Sequence, residues 1–204
     1  RGLGDVYKRQ FFGSFNPIHI GHLIIANEAL QTKLIDQVWL CPTPQNPHKK
    51  KHSLLDYQKR IDLCHLALKD KISSIVINDF ERFLEKPSYT ANSMRYLIKK
   101  YTKYSFSLIV GEDNYKTLHK WHDASWLMEK FPFLIYTRMY LEDEIPASKQ
   151  KVLYKHHQFF GCELLDISSS SIRRRIQEGR SIEYLTPPAV VKEIMLYKLY
   201  QKND

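Results

Sequence analysis

Short β-prone runs alternate along this chain with longer stretches whose apolar residues recur every three or four positions, the pattern of a parallel sheet wrapped by helices. It predicts strands near Phe11–Phe12, Gln37–Cys41, Ser74–Ile77, Phe106–Val110, Phe133–Tyr136 and Glu163–Ile167. It predicts helices over Leu23–Lys33, over Leu54–Leu68 behind a Ser53/Asp56 capping box, and over Ala91–Lys100, Trp121–Lys130 and Ser148–His157. Toward the C-terminus, Ile172–Glu178 stops at Gly179, a residue suited to C′, and Thr186-Pro187 opens a last helix running to about Tyr200. The expected class is α/β, a doubly wound parallel sheet with C-terminal helices. Such sheets bind ligands beyond the carboxyl ends of their strands, so the chemistry is sought in the residues after each strand.

At 204 residues the chain is expected to hold one domain. Its first ten residues, RGLGDVYKRQ, lack the apolar run and cleavage site of a signal peptide. They resemble a translated cloning adapter joined to a truncated gene. Residues 1–10 are therefore expected to form a non-native or disordered leader, with residues 1–8 packing poorly, before a single domain over 11–204. Lys plus Arg number 31 and Asp plus Glu 22, a formal net charge of +9, so an anionic substrate or partner is expected. The leader carries +2 of this, and the triplets Lys49–Lys51 and Arg173–Arg175 hold six more charges. Basic residues gathered at two places, without interleaved exposed aromatics, fit a phosphate-handling face better than nucleic acid. No apolar run approaches the ~18 residues of a membrane span. Cys41, Cys64 and Cys162 read as buried thiols in a reducing, cytoplasmic compartment.

Two strand ends lead into helices with the makings of an anion site. After the first strand comes Gly13-Ser14-Phe15-Asn16-Pro17-Ile18-His19-Ile20-Gly21-His22. Gly13 suits a tight turn, Gly21 a close backbone approach at a helix start, and His19 and His22 stand three apart, so both imidazoles can face one anion. The second is Ile167-Ser168-Ser169-Ser170-Ser171-Ile172-Arg173, hydroxyls and free backbone donors with Arg173 on the first turn; Ser tracts are equally plain N-caps. Neither a Walker A sequence nor GxGxxG occurs. Asp113, after Val110-Gly111, is placed to take ribose hydroxyls or to cap a helix, and Trp121-His122 to stack on a flat heterocycle or seal the core. Asn46–Lys51 is a basic loop, and Pro87-Ser88-Tyr89-Thr90 precedes a helix whose N–H groups could hold a carboxylate.

Taken in order, GSFNPIHIGH, NPHK, PSYT, GED followed by KWH, and ISSSSIR resemble the HxGH nucleotidyltransferases, and within them the bacterial nicotinate-nucleotide adenylyltransferases. The resemblance runs from Phe11 to the final helix and implies a Rossmann-like sheet. It implies transfer of the adenylyl group of ATP to nicotinate mononucleotide, giving nicotinate adenine dinucleotide and pyrophosphate, with Mg²⁺ carried on ATP and no metal ligands from side chains. It implies His19, His22 and Arg173 as catalytic groups. With them, Gly13, Ser14, Phe15, Gly21, Asp113, Ser169 and Ser170 would hold ATP. Asn16, Lys49, Ser88, Tyr89, Thr90, Trp121 and His122 would hold the mononucleotide. A homo-oligomer is compatible with it. Lys8-Arg9-Gln10 departs from the apolar first strand of the family. The alternatives are an adenylyltransferase for another phosphomonoester, nicotinamide mononucleotide or phosphopantetheine, and a basic nucleic-acid-binding domain.

Overall fold

The computed structural model describes residues 6–32, 34–45, 54–68, 74–137, 155–161 and 166–201. Six strands form one sheet: β1 (Val6–Gly13), β2 (Gln37–Pro42), β3 (Ile75–Ile77), β4 (Tyr104–Gly111), β5 (Phe133–Thr137) and β6 (Gln158–Gly161). Their order is β3-β2-β1-β4-β5-β6 and all pairs are parallel. The order reverses between β1 and β4, so a crevice opens beyond their carboxyl ends. The helices are α1 (Ile20–Gln31), α2 (Tyr57–Leu68), α3 (Thr90–Lys100), α4 (Glu112–Lys116), α5 (Ala124–Lys130), α6 (Ser169–Gln177) and α7 (Pro188–Leu196). One core, with Ile25, Val38, Leu40, Leu63, Ile109, Ile172 and Ile194, fills the sheet face covered by α1, α2, α6 and α7. The other, with Trp39, Met94, Leu97, Leu108, Leu127 and Phe133, fills the face under α3 and α5.

The structure corrects several sequence expectations. The supposed leader supplies half of the central strand: β1 begins at Val6 and runs between β2 and β4, with Arg9 in register with Val38 and Ser107, and Gln10 with Trp39 and Leu108. Lys8, Arg9 and Gln10 are all buried. A doubly wound sheet needs a strand between β2 and β4, and pairing on both sides draws these polar residues in despite their chemistry. Residues 1–5 lie outside the described residues.

At the far edge, the sixth strand is Gln158–Gly161, not Glu163–Ile167. Phe160 drives this, buried among the isoleucines of the first core while Gly161 pairs with Thr137. Residues 163–165 lie outside the described residues, and Asp166 and Ile167 are irregular and lead into α6. Most of the expected Ser148–His157 helix also lies outside them, and residues 155–157 are not helical. Helix α2 starts at Tyr57, capped by Asp56, whose Oδ1 accepts from the N–H groups of Gln58 at 2.9 Å and Lys59 at 3.2 Å. The last helix ends at Leu196 and continues as turns in which Lys198 and Tyr200 have positive φ.

Candidate active site

The loop leaving β1 turns sharply at Phe15, whose φ of 42° is rare for a non-glycine residue and whose ring is buried. Such a conformation costs about 1 kcal/mol or more and persists only where packing fixes it. Phe15 meets the rings of Phe11 edge-on at 5.8 Å and His22 at 4.9 Å. His22 stacks on His19 with centroids 3.6 Å apart and planes 25° from parallel. The His19 backbone N–H donates to Nδ1 of His22 at 3.2 Å. Nδ1 is thus the acceptor nitrogen, and the neutral ring carries its proton on Nε2. Gly21 leaves room for this stack: a Cβ there would stand 3.1 Å from Nδ1 of His19, so the ring would have to shift by a few tenths of an ångström. Its service is to the imidazole, where the sequence suggested a close approach to ligand.

Helix α6 meets this loop from the other side. Ser168 caps it, accepting from the Ser171 N–H at 3.1 Å. Ser169 donates its hydroxyl to Pro17 O at 2.9 Å, and Arg173 donates from Nη1 to Asn16 O at 2.7 Å, with Ser170 Oγ 3.2 Å from Nη2. Burial lowers the Arg173 guanidinium somewhat from its ordinary range. Asn16 is a buried joint: its Oδ1 accepts from the Leu55 N–H at 3.1 Å. From the C-terminal segment, Thr186 donates to Ile18 O at 2.8 Å, so the loop is fastened at Asn16, Pro17 and Ile18 in turn.

On the opposite side Tyr89 caps α3, and its carbonyl accepts the first helical bonds, from Asn92 at 3.0 Å and Ser93 at 3.1 Å. The N–H groups of Thr90 and Ala91 precede those bonds and form the positive end of the helix. The Tyr89 ring lies 4.6 Å from that of His122. His122 Nε2 is 3.5 Å from Asp123, which Arg95 also holds at 2.7 Å.

A cavity of about 520 Å³ joins these parts, a size suited to a small-molecule ligand. Gly13, Ser14, Phe15, His22 and Ser169 line one half; Ser88, Tyr89, Thr90, Trp121 and His122 line the other. His19, Asn16, Gly21, Ser170 and Arg173 are not in the lining and act from behind it. Asp113 is exposed on α4 and outside the lining, while Asn114 and Thr117 on the same side of the cavity are in it. Lys49, with the rest of Asn46–Lys51, lies outside the described residues.

Two residues with no place in the sequence reading belong to this site. Arg60 is fully buried at the joint of two loops. Its Nη1 donates to Ser14 O at 2.6 Å and Thr43 O at 2.8 Å, its Nη2 to Pro44 O at 3.1 Å, and its Nε to Leu55 O at 3.0 Å. One guanidinium so fixes the turn after β1 against the turn after β2. The available signal was its place on the stripe Arg60, Cys64, Ala67, spaced four and three apart on the buried side of α2. The second is Glu81, buried in the short 3-10 turn Phe80–Phe83 and lining the cavity. An acid next to Phe80 in the run Phe80-Glu81-Arg82-Phe83 was its only signal.

The cytidylyltransferase-like family matches residues 10–175. A protein of Flavobacterium johnsoniae named probable nicotinate-nucleotide adenylyltransferase is 42% identical over 192 residues, covering 94% of this chain and 97% of that one. One of the same name from Flavobacterium psychrophilum is 38% identical over 192 residues, with 94% and 97% covered. The chain belongs to the nicotinate-nucleotide adenylyltransferase family. Its fold is also that of a Plasmodium falciparum nicotinic acid mononucleotide adenylyltransferase solved in complex with NaAD. The TM-score is 0.81 at 20% identity, over 96% of this chain and 97% of that one. As an adenylyltransferase of this family, the chain carries its HxGH pair, PSYT segment and ISSSSIR helix start around one cavity or directly behind its wall.

Proposed function

We propose that the protein transfers the adenylyl group of ATP to nicotinate mononucleotide, releasing pyrophosphate and forming nicotinate adenine dinucleotide, a late step in making NAD. The observation that carries this reading is the single continuous cavity with His22 and Ser169 in one half and the N-terminal end of α3 in the other. ATP would occupy the first half and the acceptor the second.

The attacking group is a phosphate monoester whose second pKa near ~6 leaves it ionised at pH 7, so no general base is needed. The difficulty is to bring two polyanions together and to neutralise charge as pyrophosphate departs. The protein answers with donors held in place before substrate arrives. Nε2–H of His22 would donate to the reacting phosphates, and the His19 ring stacked behind fixes its plane. Arg173, braced on Asn16, and the N-terminus of α6 would add positive potential. Backbone at Gly13–Phe15 would approach the α-phosphate, held there by Arg60. The N–H groups of Thr90 and Ala91 would take the nicotinate carboxylate, and Trp121 would stack on the pyridine ring.

Mg²⁺ would arrive on the triphosphate, where its charge would help to neutralise the leaving pyrophosphate. The hydroxyl and imidazole groups facing the cavity suit a metal held by substrate phosphates. Cys41 and Cys64 are buried free thiols, which suits the cytoplasm. No helix among the described residues is long and apolar enough to cross a membrane. The reading is tested by incubating the protein with Mg-ATP labelled at the α-phosphate and nicotinate mononucleotide. Label is expected in the dinucleotide and never on the protein; a trapped adenylyl-enzyme would overturn direct transfer.

A further inference from the structure

Among the described residues Glu81 is the one buried carboxyl group, 2% exposed, and the mechanism above leaves it unused. Its Oε1 accepts from the Ser93 hydroxyl, in the first turn of α3, and Ser93 Oγ also lies 3.4 Å from Tyr89 O. The carboxyl therefore sits beneath the helix end that would read the acceptor. Its Oε2 is buried and makes no hydrogen bond of ordinary distance and angle, although the Thr43 hydroxyl stands close enough to favour the charged carboxylate, and the residue lines the cavity beside Thr43, Ser88, Tyr89 and Thr90.

Among the described residues no cation pairs with this group. Tyr57 of α2 and Cys41 of β2 are the titratable groups coupled to it, and burial pushes both far upward, so both are neutral. On its own turn Arg82 is paired with Asp79 at 2.9 Å, and on α3 Arg95 is paired with Asp123 at 2.7 Å. Across the cavity the His122 ring leans on Tyr89 and Asp123. Burial pushes the Glu81 carboxyl up to about 7, with the hydroxyls of Ser93 and Thr43 drawing it partway back. A second negative charge in this half of the cavity pushes the same way.

We propose that Glu81 is a specificity-determining residue of the acceptor half: protonated, it donates a hydrogen bond from Oε2 to an anionic ring substituent, so an acidic acceptor binds with uptake of one proton. An ionised Glu81 would meet that substituent as a like charge. The inference rests on nicotinate mononucleotide being the acceptor. A neutral amide acceptor calls for no such uptake, and a glutamine side chain supplies the same donor without a proton.

The test is KM for nicotinate mononucleotide from pH 6.5 to 8.5, above the acceptor phosphate's own titration, in the wild type and in Glu81→Gln. With a carboxyl near 7, wild-type KM rises about 25-fold over this range as the protonated fraction falls, and the Gln variant stays flat within about twofold. An equal rise in the variant, or a flat wild type, overturns the proposal. A measurement on the wild type alone guards against a variant that does not fold. Binding titrated by calorimetry at pH 8 in two buffers of different ionisation enthalpy should show about 0.9 proton taken up per acceptor; none taken up overturns it. Absence of pyrophosphate release with this acceptor at every pH overturns the acceptor assignment and this proposal with it, whereas turnover at a pH-independent KM overturns this proposal alone.

Discussion

Replacing Arg9 by Ile and Gln10 by Val in the centre of the sheet should stabilise the protein strongly. Arg9 is 5% exposed, with Nε and Nη1 buried and unpaired, and Gln10 is 0% exposed, with neither amide atom bonded. Burial drives the Arg9 guanidinium down to about 10; at about 1.4 kcal/mol per pKa unit, holding its charge costs the fold about 3 kcal/mol. Two orphaned atoms of the Gln10 amide cost about 1–3 kcal/mol together. The side chains lie on opposite faces, Arg9 on that of Val38 and Gln10 on that of Trp39 and Leu108, so the effects should be close to additive. The double variant should gain about 4–6 kcal/mol, which for a chain of this size is roughly 10–20 °C in Tm. Urea unfolding would show the gain as a higher midpoint at unchanged slope. Turnover should not change, because the cavity is lined by the other end of β1, from Phe11 to Gly13. A gain below about 1 kcal/mol, or a loss, would refute the packing inference: these polar atoms would then have partners or water.

Three other outcomes can be checked. His22→Ala and Arg173→Ala should each lower kcat by about 10²–10³-fold, the scale of one transition-state donor, with unfolding curves close to wild type; unchanged turnover would leave both residues with packing roles only. Arg60→Met strands the carbonyls of Ser14, Thr43 and Pro44 and should cost about 3–5 kcal/mol in urea unfolding; a cost under about 1 kcal/mol would mean that the two loops hold without it. His157 is 2% exposed between the Tyr115 hydroxyl at 2.7 Å and Met128 O at 3.0 Å, and burial lowers it to about 4. The folded state favours the neutral ring, so its contribution is present above roughly pH 6.5 and is lost as pH falls toward 4, by up to about 3 kcal/mol. His157→Gln should flatten the acid side of the stability profile in that window, and an unaltered profile would exclude His157 as the group responsible.

The parts of this molecule that were legible in its sequence are those decided locally. The ends of the first five strands, the GSFNPIHIGH turn, PSYT before α3 and the Ser tract before α6 all follow from residues within a few positions of one another, whereas the sixth strand was placed too late in the chain. Arg60 was not legible because its partners Ser14 and Thr43 lie 46 and 17 residues away and only the sheet order brings them together. Glu81 shows the same dependence, through Ser93, 12 residues on. At Asp113 the sequence offered a carboxylate at the right strand end; α4 holds it exposed, with Oδ1 over Gly111 of the cavity wall, while Asn114 and Thr117 of the following turns enter the lining itself. Lys8-Arg9-Gln10 misled in the other direction: their polarity argued for a loose leader, and the vacancy between β2 and β4 required a strand there whatever its side chains.

The central claim concerns what the cavity accepts. Supplying Mg-ATP in parallel with nicotinate mononucleotide, nicotinamide mononucleotide and phosphopantetheine, and measuring pyrophosphate release, tests it most directly. The N–H groups at the start of α3 offer a site to a carboxylate that only the first acceptor carries on its ring. The highest kcat/KM is therefore expected with nicotinate mononucleotide; equal or faster release with either of the others would contradict the account.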